Sequence, residues 1–311
     1  MKNRFGIWFT LLLLSGIWSC GEEGRNRAAD DSGAPLQIVA TTGMIADALA
    51  EVAGEYATVE ALMGPGVDPH LYKATQGDLN KLTQADAIFY NGLHLEGKMG
   101  EILSKLARMK PVVAVADSLP NAKLINSTDY ASAYDPHVWF DVALWAEVAG
   151  IIGEAMAQID PAHAAAYRSN TQAYQEELQA LHRWVKAEIG AIPEQQRVLI
   201  TAHDAFEYFG RAYGIQVRGL QGISTVSEYG LRDVTELVDF ITARGIKAVF
   251  VESSVPAKAL EAVVEGAKRQ GHTAEIGGTL YSDAMGAAGT PAGTYPGMVR
   301  ANVKTITEAL K

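Results

Sequence analysis

The sequence has almost no cysteine: Cys20 is the only one in 311 residues. No intrachain disulfide can therefore form, and packing must hold the fold. Positive charge is also short. Lys and Arg number 26 against 36 Asp and Glu, a net charge of −10. That balance argues against non-specific nucleic-acid binding, which needs a basic surface. It is compatible with attracting cations but says little about any specific site. No apolar run reaches the roughly 20 residues of a comfortable membrane span. Short repeats are missing, and so are low-complexity tracts outside residues 21–34. What remains is ordinary globular composition, 48% hydrophobic and 20% charged. The length suits two domains and can bury a large core without staples.

The N-terminus is more informative. Lys2 and Arg4 introduce a short apolar run over 5–18, the pattern of a secretory signal peptide. The run ends Ile17-Trp18-Ser19-Cys20. This resembles a bacterial lipobox, in which the cysteine is lipidated and becomes the first mature residue. Trp18 departs from the small or aliphatic residue usual at its position. The alternative is a free cysteine in a conventional signal peptide. Lipidation would tether the chain to a membrane surface without spanning it. The reading is thus a signal peptide over 1–20 and a flexible tether over 21–35, polar and rich in small residues. The fold begins near Leu36.

From there short apolar runs alternate with helical stretches. The spacing predicts strands at 37–40, 58–62, 87–90, 112–115, 198–201, 216–219, 248–251 and 273–276. Most are continuous apolar runs, which suits strands of a parallel sheet buried on both faces. Helices are predicted between them, at 44–54, 75–83, 229–244 and 257–270. This βαβ rhythm argues for an α/β architecture. The middle breaks it: 142–189 contains no strand but suits two helices divided at Asp160-Pro161, an N-cap followed by a first-turn proline. The second, 161–189, would be a rod of about 43 Å, long enough to link two lobes. The expected architecture is α/β, with two lobes of about four parallel strands each. They occupy 36–158 and 193–311 and are joined by a long rigid helix within 159–192.

Seven histidines are present, at 70, 94, 137, 163, 182, 203 and 272. His70 and His137 each follow Asp-Pro, and proline stiffens the backbone that presents the imidazole. His203 lies just past the predicted strand 198–201, at its carboxyl end, where α/β folds place ligands. Asp283 sits in a loop after the last strand. Yet a loop histidine is more often a turn or surface residue than a ligand. The spacings also give no local ligand pattern, so the residues alone leave both readings open.

Seven segments decide it: GVDPHLY, FYNGLHLEGKM, DPHVWFD, TAHDAFEYFGRAYG, GLQGISTVSE, VFVESSVP and GGTLYSDAMG. In this order they resemble the metal-binding lipoproteins of bacterial ABC importers, the cluster A-I zinc and manganese receptors, most of all the TroA type. The likeness covers about 36–311. It implies one transported Zn2+ or Mn2+ per chain, held between the lobes by His70, His137, His203 and Asp283. Position 203 is His or Glu across that family. The resemblance also implies a non-enzymatic monomer, extracytoplasmic, either periplasmic or at the cell surface, anchored through Cys20, that delivers its ion to a membrane permease. His94 is expected in the core or beside the cleft, His163 and His182 in solvent, and His272 at a strand start. Glu228 is either a partner of a ligand or a surface residue.

Histidine at 203 leans towards zinc, whereas the histidine-free segment 121–134 leans away from a zinc-only scavenger. Soft ligands are absent, which disfavours copper(I). Two rival readings stand beside the receptor: a metal-dependent hydrolase, and a surface adhesin.

Overall fold

The computed structural model describes residues 34–127 and 132–311. The signal peptide and lipobox, Cys20 included, lie outside the described residues. The N-terminal half carries β1 (Leu36–Ala40), α1 (Gly43–Ala53), β2 (Ala57–Ala61), α2 (Gln76–Gln84), β3 (Ala87–Tyr90), α3 (Gly100–Leu106) and β4 (Val112–Ala114). Two long helices follow, α4 (Val142–Ile159) and α5 (Ala164–Gly190). The C-terminal half carries β5 (Val198–His203), α6 (Glu207–Tyr213), β6 (Gln216–Gln221), α7 (Leu231–Arg244), β7 (Ala248–Glu252), α8 (Lys258–Arg269), β8 (Glu275–Leu280) and α9 (Tyr295–Leu310).

Each half builds one four-stranded parallel sheet, in the orders β2-β1-β3-β4 and β6-β5-β7-β8. The two sheets thus repeat one topology. In each, the first strand of the half is central and the chain leaves it in opposite directions, which opens a crevice at the strand carboxyl ends. The central strand β5 is buried along its whole length, as its continuous apolar run foretold, while the edge strand β2 alternates between half-buried and exposed.

Local chemistry sets several boundaries. Thr75 and Asp78 form a reciprocal capping box that starts α2, and Asp141 accepts the Ala143 and Leu144 amides to start α4. Helix α5 buries Tyr167, Thr171, Tyr174, Leu178, Leu181, Val185 and Ile189, an apolar stripe at three- and four-residue spacing. At 27 residues it is a rod of about 40 Å. It begins three residues later than predicted, because 161–163 form a 3-10 turn in which Asp160 accepts from His163 Nδ1 at 2.6 Å and Tyr167 Oη at 2.7 Å.

The last strand differs from expectation. It runs over Glu275–Leu280, not 273–276, and passes through Gly277-Gly278, a pair that reads as a breaker in sequence. Here the glycines are a packing requirement. A Cβ on Gly277 would lie 2.8 Å from Ala309 Cβ, and one on Gly278 2.5 Å from Thr305 Cγ2. Helix α9 therefore lies directly on the bare backbone of β8.

One apolar cluster extends from Ile38 to Leu310 through α1, α4, α5 and α9 and reaches both sheets. Separate clusters back the C-terminal sheet under α7 and α8 and the N-terminal sheet under α2 and α3. Residues 35–311 accordingly form one compact unit.

Candidate metal centre

All four candidate ligands come together. His70 lies in the loop after β2, His137 precedes the turn Val138–Phe140, His203 is the last residue of β5, and Asp283 follows β8. Their relative exposures are 4%, 0%, 0% and 2%, so water does not solvate them. One donor atom from each lies within 4.8 Å of all the others. His70 Nε2 is 3.3 Å from His137 Nε2 and 3.8 Å from Asp283 Oδ2. His137 Nε2 is 3.5 Å from Asp283 Oδ1, and His203 Nε2 is 3.3 Å from Asp283 Oδ2. Bonds of about 2.0–2.1 Å to a tetrahedral zinc put ligand atoms roughly 3.3–3.4 Å apart. The observed separations straddle that value. Both Asp283 oxygens sit against the ligand imidazoles, His203 Nε2 nearest, and a buried carboxylate is costly unless a positive charge, an imidazolium or a metal ion, compensates it. The donor set therefore suits a single metal ion.

Two carboxylates hold the histidines from behind. Asp135 Oδ1 accepts the His137 backbone N–H at 2.9 Å and lies 2.6 Å from its Nδ1. Glu252, at the end of β7, accepts the His203 N–H at 2.8 Å, and its other oxygen lies 2.5 Å from His203 Nδ1. A carboxylate on Nδ1 fixes the tautomer and leaves Nε2 free for the centre. Asp68 Oδ1 accepts the His70 N–H at 2.8 Å. The two Asp-Pro-His segments are thus matching turns, in which the aspartate two residues back fixes the histidine backbone.

Burial pushes His70 down to about 3, with the charges of His137 and His203 adding to the effect against the pull of Asp283. Burial acts in the same sense on His203, but Glu252 and Asp283 on either side outweigh it and hold that imidazole well above its usual value. Burial would raise Asp283, but the three imidazoles, His203 foremost, hold it below the carboxylate range.

Asp135 and Glu252 lie inside the motifs DPHVWFD and VFVESSVP, where neither stands out as a partner of a ligand. An acidic residue ending an apolar strand, as in VFVE, was the available signal for Glu252. Of the other histidines, His94 falls beside the site, one of its two expected places, while His163, His182 and His272 part from expectation. His94 is exposed, with φ of 66°, on the rim of a cavity of about 480 Å³ that His70 also lines. His163 stacks on Tyr56 with ring centroids 4.1 Å apart, and His182 Nδ1 lies 3.2 Å from Tyr213 Oη, so neither is simply solvated. His272 precedes β8 and contacts the Ile246 carbonyl at 2.7 Å. Glu228 is exposed, the surface alternative.

Comparison with known proteins gives a consistent picture. The family model ZnuA, described as zinc-uptake complex component A, periplasmic, matches residues 38–309. The chain is 53% identical over 305 residues to the manganese-binding lipoprotein MntA of Bacillus subtilis (strain 168), covering 98% of this chain and 97% of that protein. It is 48% identical over 287 residues to the zinc-binding protein TroA of Treponema pallidum (strain Nichols), covering 92% of each. The solved structure of periplasmic TroA from Treponema pallidum matches with a TM-score of 0.86 at 47% identity, covering 89% of this chain and 99% of that one. The motifs pointed first to the TroA type; by identity, MntA stands ahead of it.

Proposed function

The chain belongs to the ZnuA family of periplasmic zinc-uptake components, and we propose on that basis that it is the extracytoplasmic receptor of a metal ABC importer. It captures one Zn2+ or Mn2+ with His70, His137, His203 and Asp283 and hands it to a membrane permease. The observation that carries this reading is four buried donors from both halves of the chain, converging within 4.8 Å of one another.

Four N and O donors suit tetrahedral zinc. Asp283 turns one oxygen towards His137 and the other towards His70 and His203. Binding through both oxygens would give five-coordination, which manganese tolerates better. The site prefers Zn2+ by the Irving–Williams order, so metal supply in the cell envelope decides the cargo. Relatives named for manganese and for zinc support keeping both.

The lobes in this reading are 36–158 and 193–311, with 159–192 as the link and 21–35 as the tether. Cys20 carries the lipid anchor that keeps the receptor beside its permease. The protein works as a monomer. Four protein donors close the shell around the ion and leave no position for an attacking water, which catalytic zinc sites keep open. A receptor is therefore favoured over an enzyme.

The test is elemental analysis of protein expressed without residues 1–20, followed by competition between zinc and manganese. One ion per chain is expected. His203→Ala should weaken binding by more than about 100-fold, beyond the range typical of outer-shell partners. A chain that retains no ion, or full affinity in His203→Ala, contradicts the reading. Turnover of esters or phosphodiesters by the loaded protein would favour the hydrolase instead.

A further inference from the structure

The loops of His70 and His137 are held to the C-terminal half in different ways. Around His137, Tyr208 Oη donates to the Asp135 carbonyl at 2.9 Å, Tyr295 Oη donates to the Trp139 carbonyl at 2.7 Å, and Trp139 Nε1 donates to the Ser282 carbonyl at 3.0 Å. All three bonds are buried. Phe140 stacks on Phe206 beside them, with ring centroids 4.1 Å apart. The His70 loop runs nearer the surface, and its neighbour Leu71 is 50% exposed. It is tied across by a short bond in which Thr225 Oγ1 donates to Asp68 Oδ2 at 2.6 Å. The other oxygen of that carboxylate accepts the His70 backbone N–H. A single side chain therefore connects the ligand's own backbone to the loop after β6 in the opposite half.

We propose that the Asp68–Thr225 bond is a latch that sets how long the ion stays, and that His70 is the ligand that leaves first. The proposal rests on reading the four residues as one metal site. Handing on an enclosed ion requires at least one ligand to move. Moving His137 would break three buried hydrogen bonds and an aromatic stack. Moving His203 would disturb β5, the buried central strand of its sheet, and a double contact with Glu252. Displacing the His70 loop from the C-terminal half breaks a part-buried bond to Thr225. Asp68 touches no ion in this scheme; it positions His70 and links it to Thr225.

The experiment loads the full chain with Zn2+ and follows its release into excess chelator by stopped flow. Thr225→Val keeps the Asp68–His70 turn but removes the hydroxyl. It should raise the release rate about tenfold, the scale of one hydrogen bond to a charged group, with the association rate and melting temperature unchanged. Thr225→Ser should restore the slow release. In an Asp68→Ala background Thr225→Val should add nothing. A release rate within about twofold of wild type, or an undiminished effect in the Asp68→Ala background, overturns the latch while leaving the metal site standing. A wild-type chain that holds no zinc removes both.

Discussion

Glu252 grips His203 twice, through the backbone N–H at 2.8 Å and through Nδ1 at 2.5 Å. The imidazole can therefore neither rotate nor change tautomer without breaking a buried contact. Outer partners of this kind are worth 10–100-fold in metal affinity. Glu252→Gln keeps the size but not the charge, and should weaken Zn2+ binding by about that factor in a chelator competition. Unchanged affinity would show that the pair plays no part in holding the ligand.

Proton release follows from the same geometry. In the metal-free protein burial lowers His203 but Glu252 and Asp283 outweigh it and hold the imidazole well above its ordinary value, whereas burial keeps His70 neutral down to about 3. An ion needs the His203 Nε2 lone pair, so any proton there must leave. Metal binding should therefore release protons at pH 7, and log Kd should rise as pH falls from 7.5 to 5. Calorimetry in buffers of different ionisation enthalpy measures both.

Asp47 offers a test of stability away from the site. Burial raises its carboxyl to about 6, with Glu51 and Glu177 adding to the effect and the Tyr295 backbone N–H opposing it. A folded value above the unfolded one means that the charged form costs stability above pH 6. The cost fades as pH falls from 6 towards 3.8 and is gone below that. Asn can still accept the Tyr295 N–H, which now reaches Asp47 Oδ2 at 2.9 Å. Asp47→Asn should therefore stabilise the protein by about 1–2 kcal/mol at pH 7.5 and by almost nothing near pH 4 in denaturant titrations.

Much of this fold was legible beforehand. The strands β1 to β7 were placed within a residue or two at each end, most of them as apolar runs, and all four candidate ligands fall inside quoted motifs. What was hidden depends on residues far apart in sequence. Glu252 meets His203 across 49 positions, so the acidic end of VFVE marks the residue but not its partner. Gly277-Gly278 reads as a break until α9 is packed on them. His163 and His182 read as solvated because their partners Tyr56 and Tyr213 come from other elements.

Gly219 tests how closely the chain passes behind His203. A Cβ there would lie 2.6 Å from the Asp204 amide nitrogen and 2.7 Å from the His203 carbonyl carbon, both backbone atoms that cannot simply swing away. Gly219→Ala should cost about 1–3 kcal/mol of stability, as overpacking does, and weaken metal binding by moving His203. Thermal melts with and without Zn2+ would report both effects. A variant with unchanged melting and affinity would mean that β6 can shift freely.

The most direct measurement is anomalous diffraction from crystals of the zinc-loaded chain. The account predicts a single strong peak within about 2.0–2.2 Å of the Nε2 atoms of His70, His137 and His203 and of an Asp283 oxygen. A peak elsewhere, or an ion bound by only two of these side chains, would contradict it.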